Sequence, residues 1–501
     1  MQNLPATKPH VGVSELVPSR PIADRLVAAY FRTFESVYRI IHRPSFQRLY
    51  DRFWECRPAD QTFAIQLILI LSIGSVFEPG HTSRKSITEW IYVAQQWLDS
   101  PSDQPRLHLE AIQVHCLLLI ARQATAVDGE NLWISTGHLL TSAMHLGLHI
   151  DPRHLIQPSP FHAEHRRRLW ATVLELIIQS SMDSGGVPLI GDYDCAPPRN
   201  LNDDQIENDI LPADAKEFTD TSVQIALLRS LPLRLRIART VNNFRSGLSY
   251  EETLRFSTEL LDIYREAAIV LQPADSSRQS TPFQRKLYDL MTQRFLLVLH
   301  DRFFMQAKSN PSYSYSRKLA LKASFHILNL SSPTDSCDYT SLSLSGAAGF
   351  RDIPMQAAGE LSDELLSRVS TDSSTRSASG LVKNNDDLRG PLDAFLSTTL
   401  TRLQISETNV KTYVIFRCFL AQVDAIQAGQ GVDVNDVIRE TLRDGLATAA
   451  GILEAVAGSS SQAADTLSNN TNHNELANDP DDWILNDNVT GDIDSWLLGY
   501  G

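Results

Sequence analysis

The chain has 501 residues, with 45 Lys and Arg against 59 Asp and Glu, which gives a formal net charge of −14. A hydrophobic share of 43% and a charged share of 21% are ordinary for a globular protein, so the composition excludes a chain that is disordered throughout. At ~150 residues per domain, the length predicts about three domains and a large buried core.

The five cysteines are scattered, and no two have the spacing of a zinc site or a disulfide framework. They are Cys56, Cys116, Cys195, Cys337 and Cys418. The N-terminal residues lack the apolar block of a secretory signal, and the most apolar stretch, 63–77, is shorter than the ~20 residues of a bilayer span. The sequence therefore predicts an intracellular protein with no membrane contact and a buried core helix at 63–77.

Apolar residues recur at helical spacing through most of the chain, and alternating strand-like patterns are scarce. The first stripe predicts a single helix after Pro21 and consists of Ile22, Leu26, Tyr30, Phe34 and Val37. Later helices are predicted, in chain order, at 63–77, at 107–123, from Asp128-Gly129 to near Gly147, from the cap Ser159-Pro160 onward, and at 221–242, 250–271, 283–308, 315–331, 391–428 and 434–457. The predicted fold class is therefore all-α.

Composition divides this helical chain into five segments. They are a flexible N-terminus at 1–20, a large helical domain at 21–360, a disordered Ser-rich linker at 361–389, further helices that pack on the body at 390–458, and a disordered acidic tail at 459–501.

The predicted tail carries more than half of the net charge, because residues 459–501 contain eight acidic residues and no Lys or Arg. Two apolar clusters interrupt it, namely Trp483, Ile484 and Leu485, and then Trp496, Leu497 and Leu498. Like charges keep such clusters exposed, and exposed clusters fold on the groove of a partner protein. The tail is therefore predicted to bind a partner; the alternative is an inert segment that increases solubility.

The sequence contains neither a phosphate-binding glycine loop nor the nucleophile elbow of a hydrolase. Asp203, Asp204 and Glu207 form a D-D-x-x-E element, which could hold Mg²⁺ for a prenyl diphosphate in an all-α enzyme. No second metal motif follows it. The alternative is that the element caps a short surface helix.

Eight of the 14 histidines lie between His108 and His165. His145 and His149 are four residues apart, a spacing that would place two zinc ligands on one helix face. Gly147, however, predicts that the helix ends between them, and no further ligand pattern completes a site. The sequence favours histidines that cap or pack, and it predicts no cofactor or metal.

Arg166, Arg167 and Arg168 invite a nucleic-acid interpretation, but adjacent residues on a helix turn by about 100° and cannot form one basic stripe. Glu164 and Arg168 have the favourable i, i+4 order of a helix ion pair. Because the chain is acidic overall, we interpret this run as a solvated and locally paired helix turn rather than a phosphate-binding surface.

Five segments, taken together, resemble a known family. They are Tyr30-Phe31 leading to VYRIIHRPSF at 37–46, IQVHCLLLIA at 112–121, LWISTG through AMHLGLHID at 132–151, EHRRRLW at 164–170 and PRNLNDD at 198–204. In order and spacing they resemble the fungal-specific transcription factor domain, the middle homology region of fungal zinc-cluster regulators. The positions that we assign to family structural motifs are His42, Pro44, Phe46, Gln113, Gly147, His149, Arg167, Trp170 and Pro188.

The resemblance implies a nuclear transcription regulator that is not an enzyme and that controls a metabolic or biosynthetic gene set. Its all-α domain would form a homodimer, or a heterodimer with a DNA-binding regulator. The two tryptophan-containing clusters of the tail would then bind coactivator proteins.

Two small departures from the family pattern predict altered local packing. Gly186-Val187-Pro188 stands where Gly-Arg-Pro is usual, and Glu175 stands near a common Asp. A larger departure is that family members begin with six cysteines holding two zinc ions, whereas Cys56 is the first cysteine here and follows the opening signature. We therefore expect no sequence-specific DNA binding by this chain alone, with that module either missing from this sequence or supplied by a partner.

Overall fold

The structure is a computed structural model that describes residues 12–55, 60–100, 108–130, 132–155, 159–208, 212–214, 216–243, 247–272, 278–331, 337–379, 385–405, 407–429 and 432–468. Every regular element within these ranges is a helix, so the predicted all-α fold class is confirmed. In the same ranges, no helix is both long enough and apolar enough to cross a bilayer. The chain divides into two compact units, 1–449 and 450–501.

The first eight α-helices are α1 (Arg20–Arg32), α2 (Glu35–Tyr38), α3 (Arg43–Glu55), α4 (Gln61–Ser75), α5 (Arg84–Asp99), α6 (Leu109–Thr125), α7 (Trp133–His145) and α8 (Pro160–Ser184). The next nine are α9 (Ser222–Val241), α10 (Tyr250–Leu271), α11 (Pro282–Gln306), α12 (Ser314–Leu330), α13 (Cys337–Ser345), α14 (Gly349–Ser379), α15 (Asp386–Ile405), α16 (Lys411–Ala428) and α17 (Val434–Ser468). Short 3₁₀ helices lie at Val13–Leu16, Pro152–His154, Asp203–Asn208 and Pro311–Tyr313.

Helix α4 is the predicted core helix, and the structure confirms it. Every residue from Phe63 to Ser75 is buried. Its polar side chains are satisfied internally, because the Gln66 amide donates to Gln113 at 2.9 Å and the Ser72 hydroxyl donates to a carbonyl of the same helix. Gly74 allows α1 to approach closely, since a Cβ there would lie 2.1 Å from the carbonyl oxygen of Leu26.

Two hydrophobic cores fill unit 1–449. The larger core is built on α1 to α12, with contributions from α13 and the start of α14. The smaller core joins α14, α15 and α16, and its buried residues are Ala358, Leu361, Leu365, Val369, Leu388, Leu392, Phe395, Phe416, Leu420 and Val423. Half-buried side chains of α12, including Phe325 and Leu328, pack against this second core. Helices α15 and α16 therefore continue the body of unit 1–449.

Local capping signals explain several helix starts. The Ser159 hydroxyl accepts a hydrogen bond from the His162 amide and Pro160 occupies the first turn, as predicted. Ser249 with Glu252, and Thr281 with Gln284, form reciprocal capping boxes at the starts of α10 and α11.

The stripe predicted as one helix after Pro21 is two helices, α1 and α2. Thr33 interrupts it, with φ −110° and ψ −98°, and its hydroxyl donates to the Ala29 carbonyl at 2.6 Å. The segment predicted at 391–428 is likewise two helices, α15 and α16. Helices α3, α5 and α13 fall in segments where no helix was predicted.

Three predicted segment boundaries need correction. The N-terminus is ordered from residue 12, because Val17 is buried and the Trp90 indole donates to the Leu16 carbonyl at 3.1 Å. The Ser-rich segment predicted as a linker at 361–389 is helical at 361–379, where Leu361, Leu365 and Val369 form an i, i+4, i+8 stripe in the second core. Helix α17 extends to Ser468, past the predicted start of the tail at 459.

Candidate functional site

Three of the five family-like segments, 30–46, 164–170 and 198–204, meet at one buried polar cluster, which we call the Asp203 network. It lies where the turn between α2 and α3, the first half of α8 and the 3₁₀ helix Asp203–Asn208 come together. Its charged and titratable members are Glu35, Arg39, His42, Glu164, Arg168 and Asp203.

Arg39 enters the network through a sharp turn at the end of α2. Its backbone is in the left-handed region with φ 57°, which is uncommon for a residue with a Cβ. The turn places the guanidinium inside the protein, where the residue is 7% exposed. There it donates to the Asp203 carboxylate and, at 3.4 Å, to the Glu35 carbonyl. The buried ion pair offsets the conformational cost of the turn.

Asp203 is the acceptor on which this network converges. Arg39 and Arg168 both donate to its Oδ1, the latter at 2.6 Å, and the Arg43 amide donates to its Oδ2 at 3.3 Å. Burial alone would raise the pKa of Asp203, but the two guanidinium groups outweigh burial and hold that pKa well below its ordinary value. Asp203 therefore stays ionised and neutralises buried positive charge.

Glu164 is a second buried acceptor, on the first turns of α8, with 0% exposure. Its carboxylate accepts from the Arg168 guanidinium at 3.4 Å and from the Arg199 amide at 3.0 Å. The i, i+4 pair of Glu164 and Arg168 predicted from the sequence is confirmed.

Glu35 lies at the apolar edge of the network. Burial raises the pKa of Glu35 to about 7, although Arg39 and the Tyr30 hydroxyl lower it in part. The Tyr30 hydroxyl donates to Glu35 at 2.6 Å, and the Ile41 amide donates to its other oxygen at 3.0 Å. These bonds fix the backbone of the motif segment at 37–46 against α1.

The three adjacent arginines of α8 point to three different partners, as their helical spacing predicts. Arg166 donates to the Leu146 carbonyl at 2.9 Å, and Arg167 forms two hydrogen bonds with Asp151, at 2.9 and 3.1 Å. Arg168 is 2% exposed and holds Asp203. The run is thus locally paired as predicted, but it is more buried than the solvated turn that we expected. It offers no continuous basic surface for nucleic-acid phosphates.

Two motif positions, His42 and Gln113, act as buried hydrogen-bond bridges. His42 Nε2 donates to the Asp203 carbonyl at 3.1 Å, so Nε2 carries a proton. The other ring nitrogen, Nδ1, accepts from the Ser45 hydroxyl at 2.8 Å. The Gln113 amide donates to the Ile40 carbonyl at 2.8 Å and lies 2.9 Å from His165 Nε2. Burial lowers the pKa of His165 to about 4, so this histidine is neutral at pH 7.

The helix break predicted at Gly147 is confirmed. Helix α7 ends at His145, and Gly147 has φ +70°, a left-handed conformation that glycine adopts readily. His145 and His149 therefore do not share a helix face. Trp170 contacts the His149 ring at a centroid distance of 6.3 Å, so this histidine packs against the core.

The remaining motif positions are packing residues. Phe46 is 3% exposed and lies 5.5 Å from the Phe63 ring, and Pro44 is half-buried in the first turn of α3. Pro188 is buried in the extended segment after α8. The neighbouring Gly186 is required for space, because a Cβ there would lie 2.6 Å from the Trp133 ring.

These contacts argue against both metal interpretations. Arg39, Arg168 and the Arg43 amide occupy both carboxylate oxygens of Asp203. Asp204 is exposed, so Asp203 and Asp204 do not form the pair of available carboxylates that a magnesium site needs. The Glu207 side chain lies outside the part that the structure describes. Among the described residues, no group of three or more His, Cys, Asp or Glu side chains is arranged to hold a metal ion.

Sequence reasoning missed a second buried ion pair, between Glu175 of α8 and Arg234 of α9. Arg234 is 0% exposed and donates to both oxygens of Glu175, at 2.8 and 2.7 Å. Glu175, which stands near a common Asp of the family, is thus neutralised by Arg234. A signal was present in α8, because Glu175 is the only charged residue between Arg168 and Asp183. Helix α9 contains four arginines, so the sequence does not single out Arg234 as the partner.

The six predicted tail residues, Trp483, Ile484, Leu485, Trp496, Leu497 and Leu498, lie outside the described residues. Their role as a coactivator-binding segment stays a prediction.

The order and geometry of these segments agree with a comparison against known proteins. The chain matches the family described as "Fungal specific transcription factor domain" over residues 27–322, which is more than half of its length. The chain therefore belongs to this family, and the Asp203 network lies within the matched region.

Several curated relatives are similar to most of this chain and extend beyond the similar part. "Transcription factor lepE" from Aspergillus flavus is 36% identical over 443 residues, which cover 83% of this chain and 53% of the relative. "Transcription factor opdR" from Penicillium oxalicum is 34% identical over 483 residues, covering 89% and 60%. "Aspyridones cluster regulator apdR" from Emericella nidulans is 28% identical over 396 residues, covering 73% and 52%. The chain spans about half the length of the curated relatives that it matches.

Proposed function

We propose that this chain is the regulatory part of a nuclear, non-enzymatic transcription regulator that controls a metabolic or biosynthetic gene set. The observation that carries the proposal is membership in the fungal-specific transcription factor domain family, together with relatives named as transcription factors and one named as a cluster regulator. The burial and mutual ion pairing of Arg39, Arg168 and Asp203 support a structural role for the Asp203 network rather than a catalytic one.

DNA contact, in this proposal, comes from a protein segment other than the described helices. The arginine run of α8 is engaged with Leu146, Asp151 and Asp203, so it is not available to phosphates. The body serves as a platform for a homodimer, or for a heterodimer with a DNA-binding regulator. Purified chain that retards promoter DNA unaided at physiological salt would overturn this part of the proposal.

The acidic tail supplies the output of the regulator. Its two tryptophan-containing clusters dock on an apolar groove of a coactivator, while the surrounding acids speed the encounter by electrostatic steering. The sequence places eight acids and no base around these clusters, which is the composition that such a mode of binding uses.

A reporter assay tests this activity in the full chain. The chain is fused to an unrelated DNA-binding domain, and transcription of a reporter is compared between the unchanged tail and a variant with Trp483→Ala, Leu485→Ala, Trp496→Ala and Leu497→Ala. We expect the unchanged fusion to activate and the variant to fall to the level of the DNA-binding domain alone.

A matched control replaces four polar residues of the same tail, with Asn470→Ala, Asn472→Ala, Asn474→Ala and Asn478→Ala. This control keeps the charge and length of the tail, so we expect it to retain activation. A silent unchanged fusion, or equal activity of the two variants, would contradict the proposed role of the apolar clusters.

A further inference from the structure

The chain that follows α8 is extended, and we call its central part, residues 187–193, the edge segment. These residues contain no helix, turn or bend, and none of them has a positive φ. Val187 and Leu189 are exposed, whereas Pro188 and Ile190 are buried. This alternation is that of a single β-strand that lies with one face on the core. The segment stands out because every regular element of the described ranges is a helix.

One backbone edge of the edge segment is already covered. Arg239 of α9 donates to the Ile190 carbonyl at 2.6 Å, and just beyond the segment the Asp194 amide donates to the His149 carbonyl at 3.1 Å. In an extended chain, the N–H and C=O groups of alternate residues point to the same edge, so the even-numbered residues define the covered edge. Pro188, which has no N–H, falls on this edge as well.

The opposite edge is open. It carries the backbone groups of the odd-numbered residues, which are Val187, Leu189, Gly191 and Tyr193. Within the part of the chain that the structure describes, none of their N–H or C=O groups has a hydrogen-bond partner. Space is free beside them, because a Cβ built on Gly191 would meet no atom within 4 Å. An unpaired edge with exposed apolar side chains is a template for a second extended strand.

The surface around the start of the edge segment is apolar too. Trp133 packs against Gly186, and the next residue, Ile134, is exposed. The Asn242 amide donates to the Gly186 carbonyl at 2.6 Å, and the residue before it, Val241, is also exposed. Grouped exposed apolar side chains mark protein interfaces. Because stable interfaces bury about 1,200–2,000 Å², this surface supplies area that two short strands lack.

The edge segment is complementary to itself. Antiparallel pairing of two copies about Ile190 places Val187 opposite Tyr193 of the other copy, and Leu189 opposite Gly191 of the other copy. All four residues belong to the open edge, so each opposed pair exchanges two hydrogen bonds. A β-branched residue opposite an aromatic residue is a favourable cross-strand pair, and glycine leaves room for leucine.

Charge favours this arrangement and this occupant. In the antiparallel register Asp192 lies opposite Pro188 and Asp194 lies opposite Gly186, so no acid faces another. A parallel register would place each aspartate opposite its own copy, which destabilises a strand pair. The segment at 459–501 of this chain, with eight acids and no Lys or Arg, would be repelled by the same aspartates.

We propose that the edge segment joins two copies of this chain, which pair as antiparallel strands about Ile190. The contact is isologous, because the same surface of each copy meets itself across a two-fold axis. This inference rests on the homodimer of the proposed function and supplies the surface for it. A dimer that uses another surface would overturn the inference and leave that function standing, so the two failures are distinguishable.

Sedimentation equilibrium of the full chain over the micromolar range tests the contact. We expect a reversible equilibrium between monomer and dimer. Leu189→Asp places a charge on the pairing edge and should raise the dissociation constant of the dimer by at least about tenfold. Ile269→Asp is the matched control, because Ile269 of α10 is 63% exposed against 59% for Leu189 and the variant gains the same charge. We expect the control to dimerise as the unchanged chain does.

Disulfide crosslinking tests the register. In a hydrogen-bonded antiparallel pair, opposite Cα atoms are about 5.5 Å apart, a distance that a disulfide spans. The double variant Leu189→Cys with Gly191→Cys should therefore form a covalent dimer under mild oxidation. Each single variant keeps the native residue at the opposed position and should form much less of it. The native cysteines are the same in all three variants, so they do not affect the comparison.

Three outcomes would overturn the proposal: an unchanged chain that stays monomeric, equal dissociation constants for Leu189→Asp and Ile269→Asp, or equal yields of covalent dimer from the double and single cysteine variants. Circular dichroism of each variant confirms that the helices are retained. If Leu189→Asp fails to fold, the cysteine variants still decide the question.

Discussion

The Asp203 network and the Arg351 cluster, in which Arg351 of α14 pairs with Glu130 and Asp352, are both built around arginine side chains, but they bury charge to different degrees. In the network, Arg39 and Arg168 are 7% and 2% exposed and share a carboxylate that is itself buried. In the Arg351 cluster, the Arg351 side chain is 20% exposed, and its partner Glu130 is half exposed. The comparison teaches that loss of one partner from a buried pair leaves an uncompensated charge inside the fold, whereas solvent screens the partner that remains in an exposed pair.

Removing the central carboxylate of the network should have the largest effect. Asp203→Asn leaves Arg39 and Arg168 buried without a counter-charge, and breaking such a pair costs about 3–5 kcal/mol. We expect a large drop in the denaturant midpoint of the chain. Asp204→Asn, at the exposed neighbour, is the control and should change stability by less than about 0.5 kcal/mol. Equal behaviour of the two variants would show that the network does not hold the fold.

A second test concerns the second core, formed by α14, α15 and α16. Leu365 of α14 is 1% exposed, and truncating a buried leucine to alanine costs about 2–5 kcal/mol. Leu365→Ala should therefore lower the free energy of unfolding clearly, whereas Leu366→Ala, at a half-buried neighbour, should lower it less. If this segment were a flexible linker, neither variant would change stability.

The smallest effect is expected from pH. Burial raises the pKa of Glu360 from 4.5 to about 8, and the neighbouring Asp301 and Asp363 contribute in the same direction. The hydrogen bond that the carboxylate accepts from the Ser324 hydroxyl lowers this pKa only in part. The folded chain therefore holds a proton that the unfolded chain loses between pH 4.5 and pH 8, so this group lowers stability as the pH rises through that window.

The variant Glu360→Gln removes this titration. Its melting temperature should exceed that of the unchanged chain at pH 8.5 by roughly 2 °C or more, while the two should agree at pH 5. The exposed Glu440→Gln is the control and should show no such difference. A constant difference at both pH values would mean that Glu360 acts through packing and not through its charge.

Much of the fold could be predicted from the sequence, because helical periodicity and caps are local. The core helix α4, the cap at Ser159 and the break at Gly147 all follow from neighbouring residues. The helix at 361–379 was missed because its serine content outweighed a sparse leucine stripe, and only packing against α12 and α16 makes that stripe stable.

The polar network could be predicted in part. The segments that contain it were identified by resemblance, but the ion pair of Arg39 with Asp203 joins residues 164 positions apart. No local pattern indicates which carboxylate neutralises which arginine over such a separation. The pairing of Arg351 with Glu130 is no easier to predict, since these two residues are 221 positions apart.

The contrast between the two regions can be tested most directly by measuring the free energy of unfolding of one variant from each region. Asp203→Asn should lower it by about 3–5 kcal/mol, because two buried guanidinium groups lose their shared carboxylate. Arg351→Gln should change it by less than about 1 kcal/mol, as expected for a partly exposed ion pair. Equal losses of stability in the two variants would contradict the division between a buried structural network and a solvent-screened cluster.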